Sequence, residues 1–247
     1  MKKNHTIKSI ILSVFITLIS SNSYGFGWYG EALNGMQCSD IGNGQGHGPF
    51  DYYEIKTTTN KKLKEVARLW EVDKIHYGLA TKRLKDGMNY INVNLAFGDY
   101  DYTLRAFPNH TLALRDAIEL EINRIKINSR GGATIPPFRT PPECYLQRAA
   151  AFTPKQPHIP LLHGIYLYKL GKYPEAEAQY KHAIKIDADN TEAHYNLGLL
   201  YAKQGRFKEA LIHAQRAYAL HYPLEGLKRQ LIDAGVWVET NEQPNTK

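Results

Sequence analysis

Apolar and small residues recur between residues 157 and 224 in two copies that lie 34 positions apart. The matched pairs are Gly164 and Gly198, Leu167 and Tyr201, Gly171 and Gly205, Tyr173 and Phe207, Ala176 and Ala210, and Ala183 and Ala217. Small residues at matched positions allow two helix backbones to approach, and the larger apolar residues fill the space between them. The pattern therefore predicts two pairs of antiparallel helices.

Helical spacing continues on both sides of the two copies. Residues 109–128 carry Leu114, Ile118, Ile122 and Ile125 at the spacing of one helix face, and residues 143–152 supply a second helix. Residues 109–156 are therefore predicted to form an irregular helical pair. Residues 225–239 predict an amphipathic helix that shields the last copy from water, and residues 240–247 a polar, disordered tail.

Residues 26–108 do not follow the repeated pattern and predict an irregular N-terminal segment. Apolar residues predict one helix up to Trp70 and another over residues 79–85, with Gly78 interrupting them. Ile91, Val93, Leu95 and Phe97 then alternate with Asn and Ala residues. This alternation predicts a half-buried strand, and Gly98 with Asp99 predicts the turn of a short β-hairpin.

A period of 34 residues with small residues at fixed offsets is typical of tetratricopeptide repeats. The segments GPFDY (48–52), DYTLRAFPNH (101–110) and ECYLQRA (143–149) also resemble a group of exported bacterial tetratricopeptide-repeat proteins whose role is not established. The resemblance implies a mainly α-helical solenoid with two full repeats, one irregular repeat and a C-terminal capping helix. It implies no catalytic activity.

The resemblance also implies a binding groove, because tetratricopeptide repeats hold a peptide or a helix on the inward-facing residues of each first helix. These positions are His158, Leu161, Ile165, Tyr168 and Lys169, followed by Glu192, Tyr195, Asn196, Leu199 and Lys203. Asn196 is expected to hydrogen-bond a partner's backbone, and His163 is expected to take the equivalent place in the first copy. Lys169 and Lys203 are expected to attract a partner's carboxylate; the alternative is a pair of solvated lysines.

The first 25 residues predict export. Residues 1–8 are basic, residues 9–21 are mainly apolar, and small residues precede a cleavage point after Gly25, as in a secretory signal peptide. The alternative is an uncleaved anchor, although about a dozen apolar residues are too few to span a bilayer comfortably. The expected location is the periplasm or the exterior.

The charge of the chain excludes a nucleic-acid function but leaves acidic partners open. Loss of three leader lysines lowers the formal charge from +7 to +4. Basic and acidic residues alternate between residues 61 and 86, which is typical of solvated helix faces. Anionic lipid headgroups and polysaccharides remain compatible with this modest positive charge.

Two cysteines, Cys38 and Cys144, are present in the whole sequence. An even number of cysteines in an oxidising compartment predicts a disulfide between them. The alternative is a pair of buried thiols or a redox couple, although no Cys-x-x-Cys motif is present.

The remaining candidate chemistry lies in the N-terminal segment. The glycine-rich run at residues 42–48 matches neither nucleotide-binding glycine motif, so it predicts a turning loop. His47, Asp51, Asp99, Asp101 and His110 are the residues that an enzyme or glycan-binding site would use. No metal-binding motif accompanies them, and no metal or cofactor is predicted. The sequence favours a scaffold that binds a protein or peptide in its groove, with an enzyme or glycan-binding protein as the alternative.

Overall fold

The computed structural model describes residues 30–38, 47–86, 89–131 and 134–238. The predicted leader, most of the glycine-rich run and the predicted tail lie outside these ranges. Within them the chain is mainly α-helical, and one isolated antiparallel bridge joins Glu31 to Gln37. None of the helices in the described ranges has the length and apolar character needed to cross a membrane.

The described part of the N-terminal segment contains four short helical segments. These are α1 (Tyr52–Thr57), α2 (Lys61–Val66), a π-helical segment (Glu71–Tyr77) and α3 (Gly78–Lys85). Asp51 and Asn60 accept backbone N–H bonds at the starts of α1 and α2, as N-cap residues do. The expectation that Gly78 interrupts a helix is wrong, because its φ of −63° and ψ of −41° carry the helical backbone from the π-helical segment into α3.

The predicted β-hairpin is also wrong, because its residues form the helix α4 (Tyr90–Ala106). Asn89 caps this helix by accepting a bond from the backbone N–H of Asn92. One face of α4 packs into a single hydrophobic core, with apolar residues at helical spacing: Val93, Ala96, Phe97, Tyr100 and Leu104. Ile91 and Leu95 are 66% and 48% exposed, and these two exposed residues produced the apparent alternation.

Two longer helices connect the N-terminal segment to the repeats. They are α5 (Thr111–Ser129) and α6 (Pro142–Phe152), which pack against each other. The loop between them is longer than a standard repeat allows, but it folds back onto α5. The side-chain amide of Asn128 donates to the carbonyl of Ile135 at 2.8 Å and accepts from its N–H at 2.9 Å. Ile135 and Phe138 are thereby buried in the core of this part.

Five helices follow in the repeat region. They are α7 (His158–Lys169), α8 (Tyr173–Ile186), α9 (Thr191–Lys203), α10 (Phe207–Ala219) and α11 (Gly226–Asp233). Helices α7 and α8 form the first antiparallel pair, α9 and α10 form the second, and α11 packs on both helices of the second pair. The mainly α-helical solenoid expected from the sequence is confirmed.

The matched small residues lie where helices are in contact. A β-carbon placed on Gly164 would lie 2.5 Å from the ring of Tyr180, and one on Gly198 would lie 2.5 Å from Leu227. Gly171 and Gly205 end α7 and α9 with φ of 75° and 74°, a left-handed conformation that glycine adopts without strain. The two copies therefore share their turn geometry as well as their spacing.

Candidate functional site

The first helices of successive pairs lie side by side. Helix α5 packs against α7, α7 against α9, and α9 against α11. On this side of the array, Lys169 of α7 reaches back to α5, where its Nζ lies 2.6 Å from Oε1 of Glu119. The predicted groove positions are distributed along α7 and α9, within this row of first helices.

The groove positions differ in how much surface they present. His158, Lys169, Glu192 and Lys203 are exposed, and Ile165, Tyr168, Asn196 and Leu199 are half-buried. Leu161 and Tyr195 are only 2% and 7% exposed, and both belong to the core of the repeats. These two residues therefore stabilise the array, and the other eight supply the accessible surface.

Tyr195, one of the predicted groove positions, does not offer its ring to a partner. Its ring lies 4.2 Å from the ring of Tyr222, measured between centroids. The start of α11 covers its hydroxyl group, which would be 3.1 Å from a β-carbon on Gly226. Residues that follow the second repeat cover Tyr195, so a substitution of Tyr195 is expected to alter stability.

The polar groove residues already have contacts within the chain. The side-chain amide of Asn196 donates to the carbonyl of Glu192 at 2.8 Å, one turn earlier in α9. Lys169 is paired with Glu119, so the expectation that Lys169 and Lys203 play the same part is wrong for Lys169. Lys203 has no carboxylate within 4.0 Å in the described ranges, and it is the groove cation that remains available. The expectation that His163 is equivalent to Asn196 is wrong, because a period of 34 residues matches Asn196 with Leu162 and His163 with Leu197. His163 is half-buried, and burial lowers its pKa to about 4.

The five residues of the alternative site have separate structural partners. Asp51 caps α1, Asp99 pairs with His76 and Arg83, and Asp101 pairs with Arg105 and the hydroxyl of Tyr145. His47 packs against the ring of Phe50. His110 caps α5 through Nδ1, which accepts the N–H of Ala113 at 3.1 Å. Each residue is thus explained by local folding, and the described residues contain no group of three or more His, Cys, Asp or Glu that could hold a metal.

His110 also takes part in a buried polar chain. Its Nε2 lies 3.3 Å from Oδ1 of Asp73, and the same carboxylate accepts the hydroxyl of Tyr52 at 3.1 Å. The hydrogen bond from His110 lowers the pKa of Asp73 against the opposing effect of burial. This network joins α1, the π-helical segment and α5.

Two polar contacts between repeat helices were not predicted. Glu177 of α8 accepts bonds from Lys181, Tyr201 and Arg206 at 2.6, 3.0 and 2.8 Å. Burial alone would raise the pKa of Glu177, but these donors outweigh it and lower the pKa to about 2. His194 and His213 face each other with 2.9 Å between their Nδ1 atoms. Apart from Tyr201, none of these residues belongs to the matched pairs, so the repeat pattern did not indicate these contacts.

The Sγ atoms of Cys38 and Cys144 lie 2.07 Å apart, which is disulfide distance. Both residues are fully buried, and Cys144 lies on α6. Beside this pair, Glu143 accepts the N–H of Leu33 at 3.2 Å and the hydroxyl of Tyr166 at 3.1 Å. The residues around Cys38 are therefore bonded to α6, and Glu143 links them through its second oxygen to α7.

Comparison with known families agrees with this geometry. A family model described as "TPR repeat" matches residues 165–205, and one described as "Tetratricopeptide repeat" matches residues 191–222. No curated protein matches this chain. A thermophilic tetratricopeptide-repeat protein from Thermus thermophilus has a solved structure that is 20% identical, with a TM-score of 0.46 and coverage of 71% of this chain and 90% of that chain. The two family matches and the paired helices show that residues 165–222 contain tetratricopeptide repeats.

Proposed function

We propose that this chain is an exported scaffold that holds a protein or peptide partner on the concave side of its repeats. Tetratricopeptide repeats indicate a protein-interaction scaffold, and the fold generally serves binding rather than catalysis. The signal-peptide pattern of residues 1–25 supports export to the periplasm or beyond. The partner is therefore sought outside the cytoplasm.

The proposal rests on the accessible side chains of the first helices, which include both apolar and polar groups. Tyr168 and Leu199 are half-buried and offer apolar contact, while Asn196 is half-buried and Glu192 and Lys203 are exposed. Interfaces combine apolar contacts with directional polar groups in this way. Lys203 gives the groove an available positive charge, because the charge of Lys169 is already matched by Glu119. A peptide with an apolar side chain and a carboxylate suits this surface.

The test is capture of a partner from a periplasmic extract, followed by titration of the purified partner. Asn196→Ala and Lys203→Glu are expected to weaken binding about fivefold or more, since groove contacts of this kind contribute about 1 kcal/mol or more. Lys185→Glu is the matched control, because it makes the same charge change at an exposed residue of the second helix α8. All three variants should melt near the wild-type temperature.

Two results would contradict the proposal. Unchanged binding by both groove variants, together with loss of binding on substitution of Asp51 or Asp101, would move the active surface to the N-terminal segment. Intact leader on membrane-bound protein, found by mass spectrometry, would contradict export as a processed protein. A mature N-terminus near Phe26 is the expected result.

A further inference from the structure

A basic pocket lies in the N-terminal segment, on elements other than the repeat helices. It has a volume of about 440 Å³ and is bordered by α1, the π-helical segment, α3 and the start of α5. Four of its lining residues are lysines, namely Lys56, Lys74, Lys82 and Lys85. The side chains of Tyr52 and Tyr77 contribute aromatic surface. Nothing in the proposed scaffold function uses this pocket.

The positive charge of the pocket is only partly matched within the chain. Asp73 is the one carboxylate among the residues that line it, and it already accepts bonds from Tyr52 and His110. Lys56 donates to the hydroxyl of Tyr52 at 2.9 Å. In the described ranges no carboxylate lies within 4.0 Å of Lys74, Lys82 or Lys85. Ammonium groups that share a pocket repel one another, and a bound anion would relieve that repulsion.

The neighbouring carboxylates are engaged elsewhere. Asp116 accepts the hydroxyl of Tyr77 at 2.9 Å and pairs with Arg115 at 3.1 Å. Glu119 is paired with Lys169 across the α5–α7 contact. Asp116 and Glu119, which line a second pocket together with Lys85, are thus committed to other partners, and the basic pocket keeps its excess of positive charge.

An apolar pocket adjoins the basic one. Its volume is about 460 Å³, and it shares Asp73 and Lys74 with the basic pocket. Trp70 lines it and is 70% exposed, and nearby Val66 is 54% exposed. Lys64 and Arg68 also line it, but Glu65 and Glu71 balance their charge, and Arg68 pairs with Glu71 at 3.7 Å. A tryptophan exposed to this extent beside lysines is unusual for a surface that faces only water.

We propose that this face, formed by both pockets, docks on a membrane surface that contains anionic lipids. The lysines of the basic pocket bind the phosphates of the headgroups, and Trp70 and Val66 enter the interface between headgroups and acyl chains. Tryptophan is enriched at this depth of a bilayer, and each basic residue near an anionic surface contributes about 1 kcal/mol to binding. A free anion would use the lysines, but it would leave the exposed Trp70 and Val66 without a role.

The test measures co-sedimentation of the full chain with vesicles of phosphatidylglycerol and phosphatidylcholine. Lys82→Gln combined with Lys85→Gln is expected to weaken binding about 25-fold, because each lysine accounts for about fivefold. Lys185→Gln combined with Lys208→Gln is the matched control, since it removes the same charge from exposed residues of α8 and α10. The apolar leader contributes equally to every variant and cancels in the comparison.

Trp70 provides the second readout. Its fluorescence should shift to shorter wavelength on anionic vesicles and not on pure phosphatidylcholine, and Trp70→Ser should lower binding without changing the melting temperature. Equal binding to both kinds of vesicle, or equal loss in the lysine pair and its control, would overturn the proposal. Complete competition by millimolar inorganic phosphate without a fluorescence shift would also overturn it, because the pocket would then be a site for a soluble anion.

Discussion

Residues 157–222 and residues 47–156 are stabilised by different kinds of contact. In the repeats, Ala176, Ala183, Ala210 and Ala217 are fully buried, and the helices meet at these small side chains. The earlier part buries more polar groups than the repeats, which bury Asn190 and His194; those of the earlier part include Thr103, Asn109, His110 and Arg148. Each of these has a bonded partner, such as the N–H of Tyr52 for Asn109 at 2.9 Å.

Periodic and irregular packing therefore tolerate different substitutions. In the repeats a residue is restricted mainly by size, because each helix pair contacts its neighbours through shape. In the irregular part a residue is restricted by its particular partner, because a buried polar group without a partner costs about 1–3 kcal/mol. The two regions should therefore fail under different perturbations.

The largest expected effect comes from enlarging a small residue of the repeats. Ala176→Trp places a large ring between helices that touch at a fully buried alanine, and we expect a loss of about 4 kcal/mol or more. Circular dichroism should show loss of helix on urea titration at much lower concentration than for the wild type. Ala219→Trp is the control, since Ala219 is exposed in the last turn of α10. Equal loss in both variants would contradict size as the limiting factor.

The second prediction concerns the cysteine pair of the irregular part. The pair closes a loop of 106 residues, and its reduction should cost about 3 kcal/mol of unfolding free energy. Urea unfolding with and without dithiothreitol measures this loss. The variant with Cys38→Ser and Cys144→Ser should start at the lower value and ignore the reductant. Two titratable thiols in the denatured, unreduced wild type would show that no bond forms.

The repeats could be predicted from the sequence because their information is periodic. Six matched pairs fixed the helix pairs and the positions of contact. The prediction of a β-hairpin within residues 90–106 was wrong because Ile91 and Leu95, both exposed, produced the alternating pattern of a strand. The prediction that Gly78 interrupts the helix was wrong for an energetic reason. A glycine within a helix costs only about 1 kcal/mol of stability, and burial of the neighbouring Val72 and Ala80 offsets that cost.

The sequence predicted which helices carry the groove positions, but it did not predict how accessible those positions are. The first-helix positions follow from the period, whereas the burial of Tyr195 depends on Tyr222, which lies after the second helix pair. The pairing of Lys169 depends on Glu119, which lies 50 residues earlier. Contacts between distant segments have no local pattern, so a single sequence did not contain a signal for them.

The third prediction separates the two regions by pH. Burial, and then the nearby His194 and Lys181, lower the pKa of His213 to about 4. In the unfolded chain a histidine has a pKa of about 6.5, so between pH 6.5 and 4 the unfolded state binds a proton that the folded state does not. His213 should therefore contribute a loss of about 2 kcal/mol to the stability of the repeats as pH drops through this range, and His163, whose pKa burial also lowers to about 4, should add to that loss. Glu177 and Glu209 face His213 and oppose the effect only partly.

Urea unfolding at pH 7 and pH 4.5 measures this loss, and His213→Gln should reduce it by about 2 kcal/mol. The irregular part should behave differently through Asp73, whose lowered pKa gives stability above about pH 4 that is lost as pH falls further. Asp73→Asn should therefore change stability mainly near neutral pH and much less at pH 2. An unchanged pH dependence in His213→Gln would contradict the assignment to this histidine pair.

The smallest expected effect concerns the ion pair that joins the two regions. Lys169 and Glu119 keep about a third and nearly half of their side-chain surface exposed, so solvent screens their attraction. A double-mutant cycle with Lys169→Ala and Glu119→Ala should give a coupling of about 0.5 kcal/mol, and 1 M salt should abolish it. The regions are instead held together by apolar packing, because Ile159 and Tyr166 of α7 are buried in the same core as Leu114 and Ile118 of α5. A coupling above about 2 kcal/mol would show that charge, rather than this shared core, fastens the repeats to the irregular part.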